Sequence, residues 1–264
     1  ILFKDNAVFK VAAGKHVTFE THTEVSEPIL ARHIDDANLE GSNGRFVGFD
    51  FSGAGVVQMK NVLMVGGTTQ IKFTGGALVM GGSENTAVRL YNAATQAVDA
   101  TFAAGDGSSK MKYLHIRNAQ NALKLSGRMG NTAANENNNA TLEYVLIENC
   151  FNKVIAHTGT AQSMNHINID MLSQTATPTD AAFSFGAAPS GSNNRILKSA
   201  NKRLPRNGNG FQDNGDGTAT LGSGSNTIDF TIQADGAKSD TVSTWGSTTT
   251  NLTYLPDTMT DGLA

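Results

Sequence analysis

The feature that most constrains this chain is a short unit that recurs about five times between Val62 and Phe185. Its two clearest copies are KYLHIRNAQNALKLS (112–126) and EYVLIENCFNKVIAH (143–157). Each copy reads as a short alternating strand, an Asn, a small residue, a short link and a second short strand. A unit repeated every roughly 20–50 residues is typical of a solenoid or an array.

The spacing of the copies indicates the length of one rung, meaning one complete turn of such a solenoid. Equivalent apolar positions in the first strands are separated by 26, 26, 31 and 22 residues. These positions are Met64, Leu90, Ile116, Ile147 and Ile169. The longest interval contains RMGNTAANENNN (128–139), which we interpret as a loop inserted at one corner. Because the apolar residues alternate with a period of two, we predict an all-β fold, a single-stranded parallel β-helix with rungs of about 22–26 residues.

An asparagine in the repeat is predicted to form a column along the stack. Asn92, Asn118 and Asn149 follow the first strand in three copies. Neighbouring strands lie about 4.8 Å apart, so equivalent residues become direct neighbours. Asn tolerates left-handed backbone, and its amide hydrogen-bonds along such a stack. We expect a structural ladder at one corner, which Met171 interrupts in the next copy.

The pattern divides the chain into three parts. Residues 1–60 carry short alternating strands and are predicted to form the first rungs and a cap, in which PILARHIDDANLEG (28–41) forms one or two helical turns. Residues 61–190 are predicted to form the β-helix core. Residues 191–264 change in style, and the longer strands FQDNGDGTATL and NTIDFTIQ predict a small C-terminal β module. The chain starts at Ile1 rather than Met, as expected of a processed product or of a segment of something longer.

Composition argues against several classes of protein. Charged residues make up 16 % of the chain, and the formal net charge is −3 without a basic run, so we expect no nucleic-acid partner. No apolar stretch approaches the roughly 18 residues that a membrane span needs, so we expect no membrane insertion. The single cysteine, Cys150, excludes a disulfide within the chain and is expected to be small, buried and unreactive.

Alternation along the strands places three columns of side chains on the outer side of the sheet. If Leu114 and Ile116 point inward, these columns are Tyr113–Tyr144–His166, His115–Leu146–Asn168 and Arg117–Glu148–Asp170. The third column is the catalytic candidate, because two carboxyls about 5 Å apart match the separation found in retaining glycosidases. The pKa of one carboxyl in such a pair rises, as a general acid requires. The alternative is a surface ion ladder in which Arg117 and the two carboxylates neutralise one another.

The other two columns predict contact with a ligand or a partner. Tyr113, Tyr144 and His166 form an aromatic platform that suits sugar rings. His115 and Leu146 lie beside them, and an outward Leu among aromatic rings makes an apolar stripe of the kind that marks an interface. We favour an interface over a ligand site for this surface.

Two weaker motifs carry acidic residues in short runs. HIDD (33–36) is interpreted as a polar cap, and DNGDG (213–217) as a plain turn, because it lacks the spacing and the closing Glu of an EF-hand. We predict no metal and no cofactor.

The text of one rung, LEYVLIENCFNKVIAHTG (142–159), resembles the right-handed parallel β-helix superfamily, which includes pectate lyases, polygalacturonases and bacteriophage tailspikes. The resemblance covers residues 60–190 well and 1–60 loosely, and it implies a right-handed solenoid. Of the polygalacturonase motifs NTD, DD, GHG and RIK, Asn168-Ile-Asp170 echoes the first, and GHG and RIK are absent. The calcium-binding Asp clusters of pectate lyases are also absent. The closest style is that of tailspike and tail-fibre proteins, which implies a trimer that recognises cell-surface polysaccharide.

Three functional hypotheses follow. The first is a non-enzymatic structural and receptor-binding protein of an extracellular or virion surface, similar to phage tail fibres or tailspikes, which forms a homo-oligomer, with a trimer favoured, and contacts cell-surface glycan. The second is a polysaccharide-degrading enzyme, a hydrolase or lyase, that uses Glu148, Asp170 and Arg117. The third is a secreted or cell-surface adhesin, or a filament subunit, with the solenoid as its scaffold.

Overall fold

The computed structural model describes residues 1–21, 28–34, 46–102, 106–127, 130–131, 142–150, 152–158, 163–170, 183–186, 188–197, 209–233, 238–239 and 252–253. Within these ranges the protein is all-β, built around one curled, mostly parallel sheet, and its one helical segment is a 3-10 turn at Glu84–Thr86. No helix in this part of the chain is long and apolar enough to cross a membrane.

In chain order, strands β1 to β23 are Leu2–Phe3, Val8–Lys10, Val17–Phe19, Ile29–His33, Gly48–Met59, Val62–Val65, Thr69–Gly81, Val88–Tyr91, Gln96–Phe102, Asp106–Ser108, Lys110–Arg117, Asn121–Gly127, Gly130–Asn131, Leu142–Glu148, Lys153–Thr158, Met164–Asp170, Phe183–Phe185, Arg195–Leu197, Asn209–Asp213, Thr218–Ser223, Asn226–Gln233, Lys238–Ser239 and Leu252–Thr253.

Most strands pair in parallel with the strand that holds the same place one repeat later. The first series consists of β6, β8, β11, β14, β16 and β18. The second series consists of β7, β9, β12, β15 and β17. A third series runs from β3 through the later halves of β5 and β7 to the start of β11. Strand β5 changes register near Gly53, whose φ of +79° is strained for residues with a Cβ.

The register predicted from the repeat is confirmed at each of its four steps. The pairs are Met64 with Leu90, Leu90 with Ile116, Ile116 with Ile147, and Ile147 with Ile169. All of these residues belong to one buried apolar core. The second strand of the repeat differs by one position, because Leu123 pairs with Ile155 and not with Val154. The link after Asn149 is therefore one residue longer than the link after Asn118.

The predicted asparagine ladder is confirmed. The Nδ2 of Asn118 donates to the Oδ1 of Asn92 at 3.1 Å, and the Nδ2 of Asn149 donates to the Oδ1 of Asn118 at 2.7 Å. All three residues have left-handed backbone, with φ of 60°, 54° and 50° in chain order. Each therefore turns the chain between the first and second series. Met171 lies outside the described residues.

The two ends of the sheet differ. At the N-terminal end six phenylalanine rings pack together, and the stacked pair Phe3 and Phe46 has centroids 4.5 Å apart. The other members are Phe9, Phe19, Phe49 and Phe51. At the C-terminal end β21 pairs in parallel with β18 and antiparallel with β20, which pairs antiparallel with β19. The change of style in the C-terminal part is therefore a change to antiparallel pairing within the same sheet.

The helical turns expected after Pro28 are wrong for the residues that the structure describes. Residues Ile29–His33 form β4, which pairs in parallel with β1 and β6. Ala31 and His33 are buried in this strand, so pairing on both sides overrides the local helical preference. Residues 35–41 of the expected cap lie outside the described ranges.

Candidate functional site: the outward side of the first strand series

The outward side of the first series carries polar and charged side chains that are buried. These residues alternate with core residues along the strands and lie outside the apolar core cluster. We call this surface the charged face. Its buried polar and charged members are Arg89, His115, Glu148, Asn168, Asp170 and Arg195, and the apolar Leu146 is buried among them. Burying charged groups costs free energy unless they are paired. A stack of strands does not need such groups to be stable, so we treat this face as the candidate functional site.

The strands bring the three predicted catalytic residues into one column. Arg117 is in register with Glu148, and Glu148 is in register with Asp170. This alignment was predicted correctly from the repeat. The expected exposure was wrong, because Glu148 is 8 % and Asp170 2 % exposed. The two carboxylates therefore do not lie on an exposed surface, as a surface ion ladder and open presentation to a polymeric substrate would both require.

A hydrogen-bonded relay links Glu148 on β14 to His115 on β11 and, through His115, to Tyr91 on β8. His115 Nε2 contacts a carboxylate oxygen of Glu148, and His115 Nδ1 lies 3.0 Å from the hydroxyl of Tyr91. In the Nε2–H tautomer of His115, Nε2 donates to the carboxylate of Glu148 and Nδ1 accepts from the Tyr91 hydroxyl. Such a relay fixes the tautomer and orientation of His115 and polarises the half-buried Tyr91 hydroxyl.

Sequence reasoning missed Tyr91, although a signal for it was present. Tyr91 is in register with Arg117 and extends the column of Arg117, Glu148 and Asp170 by one strand. The copy Val88-Arg-Leu-Tyr-Asn92 places Tyr at the position that the later copies fill with charged residues. Extending the column to this copy would have found it.

The aromatic column is a closed stack. The rings of Tyr113 and Tyr144 lie 4.7 Å apart at 19°, and those of Tyr144 and His166 lie 4.6 Å apart at 17°. Both faces of the Tyr144 ring are therefore covered by neighbouring rings, so this ring offers no open face for a sugar to stack on. All three residues have left-handed backbone, with φ of 56°, 55° and 56° in chain order. The chain bends there, so Met111 and Leu114 both reach the core across an interrupted alternation.

His166, at the end of this stack, has a lowered pKa. Burial lowers the pKa of its ring, the charge of Glu143 opposes that change, and the charge of Arg195 reinforces it. The folded protein therefore favours the neutral ring at this position.

The exposed apolar stripe expected in the second column is also wrong. His115, Leu146 and Asn168 are all buried, and Leu146 is 0 % exposed. Alternation fixes the side of the sheet on which a residue lies, but it does not fix whether that side is covered. The interface role of Leu146 and its neighbours stays a prediction.

The single cysteine lies where the repeat predicted. Cys150 is buried beside the asparagine ladder, and its Sγ lies 3.2 Å from the carbonyl oxygen of Lys153. Burial raises the pKa of the Cys150 thiol to about 11, against the smaller effect of backbone hydrogen bonds. The thiol is therefore protonated at neutral pH, as an unreactive buried residue should be.

The two acidic motifs are described to different extents. His33 Nε2 lies 2.7 Å from Asp5 Oδ1, whereas Asp35 and Asp36 lie outside the described residues. The tract 213–217 is a turn between β19 and β20, in which Gly215 N donates to Asp213 Oδ1 at 3.0 Å. Among the residues that the structure describes, no group of three or more His, Cys, Asp and Glu could hold a metal ion.

Comparison with known proteins found no matching protein family, no similar curated protein and no similar solved structure.

Proposed function

We propose that this chain is a structural and receptor-binding protein of an extracellular or virion surface, similar in kind to phage tail fibres and tailspikes. In this proposal the curled parallel sheet is a right-handed parallel β-helix. The observation that carries the proposal is the continuous parallel register of the first series from β6 to β18. Stacked units of this kind contact chiefly their neighbours and build an extended, stiff body. Such a body suits a protein that projects from a surface.

Burial of the charged face supports a structural role over cleavage of a polymer. Glu148 and Asp170 are buried, and His115 contacts the carboxylate of Glu148. A polysaccharide can contact only side chains that are exposed to solvent, and these two carboxylates are not. The half-buried edges of Tyr113, Tyr144 and His166 supply one place for contact with a second copy of the chain, and we propose a homotrimer.

Electrophoresis in native gels that contain polysaccharides tests the receptor-binding part. The proposal predicts that at least one neutral or acidic polysaccharide retards the wild-type protein, and that the viscosity of the polysaccharide does not fall during incubation. If no gel retards the protein, the receptor-binding role is wrong. A falling viscosity contradicts the non-enzymatic part of the proposal.

A second candidate is a polysaccharide-degrading hydrolase or lyase, and the relay from Glu148 through His115 to Tyr91 favours it. The half-buried Tyr91 is the one member of this relay that is not fully buried. This candidate predicts cleavage that is lost in Glu148→Gln and in Tyr91→Phe while the circular dichroism spectrum is unchanged. Full cleavage activity in both variants excludes the relay as its source.

A further inference from the structure

The outward side of the second series, together with the strands β5 and β2 that continue it toward the N-terminal end, carries two parallel ladders that take no part in the apolar core. The first ladder alternates in charge from strand to strand, in register, through Lys10, Asp50, Lys72, Asp99 and Lys124. The second consists of hydroxyl residues in register, namely Ser52, Thr74, Thr101, Ser126 and Thr158. We call this surface the ladder face. All of its members are exposed or half-buried.

The charged ladder neutralises itself. Lys124 Nζ lies 2.9 Å from Asp99 Oδ2, and Lys10 Nζ lies 3.9 Å from Asp50 Oδ2. Burial raises the pKa of Asp50, but hydrogen bonds from Ser52 and the charges of Lys72 and Lys10 outweigh it and hold that pKa below its ordinary value. The alternation leaves the ladder face with little net charge, so it does not attract a polyanion as a basic surface does.

The ladder face opens into a shallow groove where the charged ladder ends. Lys124 is followed in register by Ala156 and then by Ser184, so long side chains give way to short ones. The groove has a volume of about 190 Å³, and its lining includes these three residues with Ser126, Thr158 and a second lysine, Lys153. The hydroxyls of Ser126 and Thr158 lie 3.0 Å apart within it.

We infer that this groove and the ladders beside it bind a neutral, hydroxyl-rich polysaccharide that runs along the stacking direction. The inference rests on the proposed function and names the contact site for its glycan. Hydroxyl side chains both donate and accept hydrogen bonds, as sugar hydroxyls do. One such side chain on each successive strand presents a regular array, which suits a polymer with a regular repeat. Both Asp residues of the ladder pair with Lys, and Lys124 in the groove is held by Asp99, which favours a neutral polymer over an acidic one.

Two variants test the site from opposite directions. Ala156→Gln fills the groove, and the double variant Ser126→Ala, Thr158→Ala removes the paired hydroxyls. These side chains point away from the apolar core, and circular dichroism checks that the fold is kept. Gln120→Ala is the matched control, because Gln120 is exposed at the corner between the first and second series.

The measurement is the affinity for dextran, mannan and arabinogalactan in native gels, with alginate as the acidic comparison. We expect a neutral polysaccharide to retard the wild-type protein and the control equally. The double variant is expected to raise the dissociation constant about tenfold, since one lost polar contact is worth about that much. Ala156→Gln is expected to raise it by at least as much, because its side chain occupies the space that the polysaccharide would fill.

Three results would overturn the inference, and they differ in what they leave standing. If the wild-type protein binds a neutral polysaccharide and both variants bind it equally well, the site is wrong while the proposed function survives. If alginate alone retards the protein, the inference of a neutral ligand is wrong. If no gel retards it, both the inference and the receptor-binding function fail.

Discussion

Asn149 donates its side-chain amide to Asn118 at 2.7 Å, and Asn118 makes the same contact to Asn92 at 3.1 Å. Each of these residues has left-handed backbone, so one residue type both turns the corner and links successive strands through its side chain. Asn is the non-glycine residue that accepts this backbone most readily and carries both a donor and an acceptor. The ladder therefore explains why the repeat places Asn here.

Replacing Asn118 separates the two contributions of this ladder. Asn118→Ala loses both side-chain hydrogen bonds and must hold a φ of 54°, so we expect a loss of about 2–4 kcal/mol in the free energy of unfolding. Asn118→Gly loses the same hydrogen bonds without the backbone strain and should be destabilised by about 1–2 kcal/mol less. Urea denaturation measures both values. Equal losses would show that the backbone is not strained at this corner.

The stability of the variant Leu146→Ala tests whether the outward side of the first series is shielded from solvent. Leu146 is fully buried but lies outside the core cluster that holds Leu114. We expect Leu146→Ala to lower the free energy of unfolding by about 2–5 kcal/mol, as a core substitution does. Leu114→Ala is the matched control in the apolar core. A loss below about 0.5 kcal/mol for Leu146→Ala, typical of a surface site, contradicts the burial described here.

The contact between His115 and Glu148 is buried, so removing one partner should be severe. Glu148→Gln and His115→Gln are each expected to cost about 3–5 kcal/mol, because each leaves a buried group without its partner. The double variant should be clearly less destabilised than the sum of the two single variants. A double-mutant cycle by urea denaturation measures this coupling. Additive effects would mean that the two side chains do not interact.

His157 makes the stability of the protein depend on pH. It occupies the core position of Leu125 on the next strand, and its Nε2 donates to the carbonyl oxygen of Gly127 at 3.2 Å. Burial lowers the pKa of the His157 ring below its ordinary value of 6.5, against the smaller effect of that hydrogen bond. Protonation therefore favours the unfolded chain, and stability that is full above pH 6.5 is lost as the pH falls below it.

The melting temperature between about pH 7.5 and pH 5 measures this dependence. His157→Leu, which matches Leu125 in register, should reduce the drop in melting temperature on acidification. It should not abolish the drop, because burial also lowers the pKa of His166. Identical pH profiles for His157→Leu and the wild-type protein would exclude His157 as a source of the acid sensitivity.

Much of the fold could be predicted because each copy of the repeat places an apolar residue at the same position. An apolar residue at Leu90, Ile116 and Ile147 stacks on its equivalents, so the register follows from the spacing alone. The offset at Ile155 could not be predicted, because the link after Asn149 tolerates an extra residue without any change in the strands around it.

For the candidate site, the sequence predicts which side chains lie next to one another on neighbouring strands, but not that they are buried. The column of Arg117, Glu148 and Asp170 follows from the same register as the core. Its burial does not, because alternation fixes the side of the sheet on which a residue lies and not whether that side is covered. The left-handed backbone at Tyr144 could not be predicted from the sequence either, since aromatic residues rarely adopt it. In the structure it accompanies the stacking of the Tyr144 ring on that of Tyr113.

The molar mass of the purified protein in solution, measured by light scattering across a dilution series, tests the proposed surface oligomer most directly. We expect the mass of a homotrimer, three times the 27.7 kDa of one chain, and no change on dilution. A mass equal to that of one chain at every concentration would contradict the trimeric surface protein proposed here.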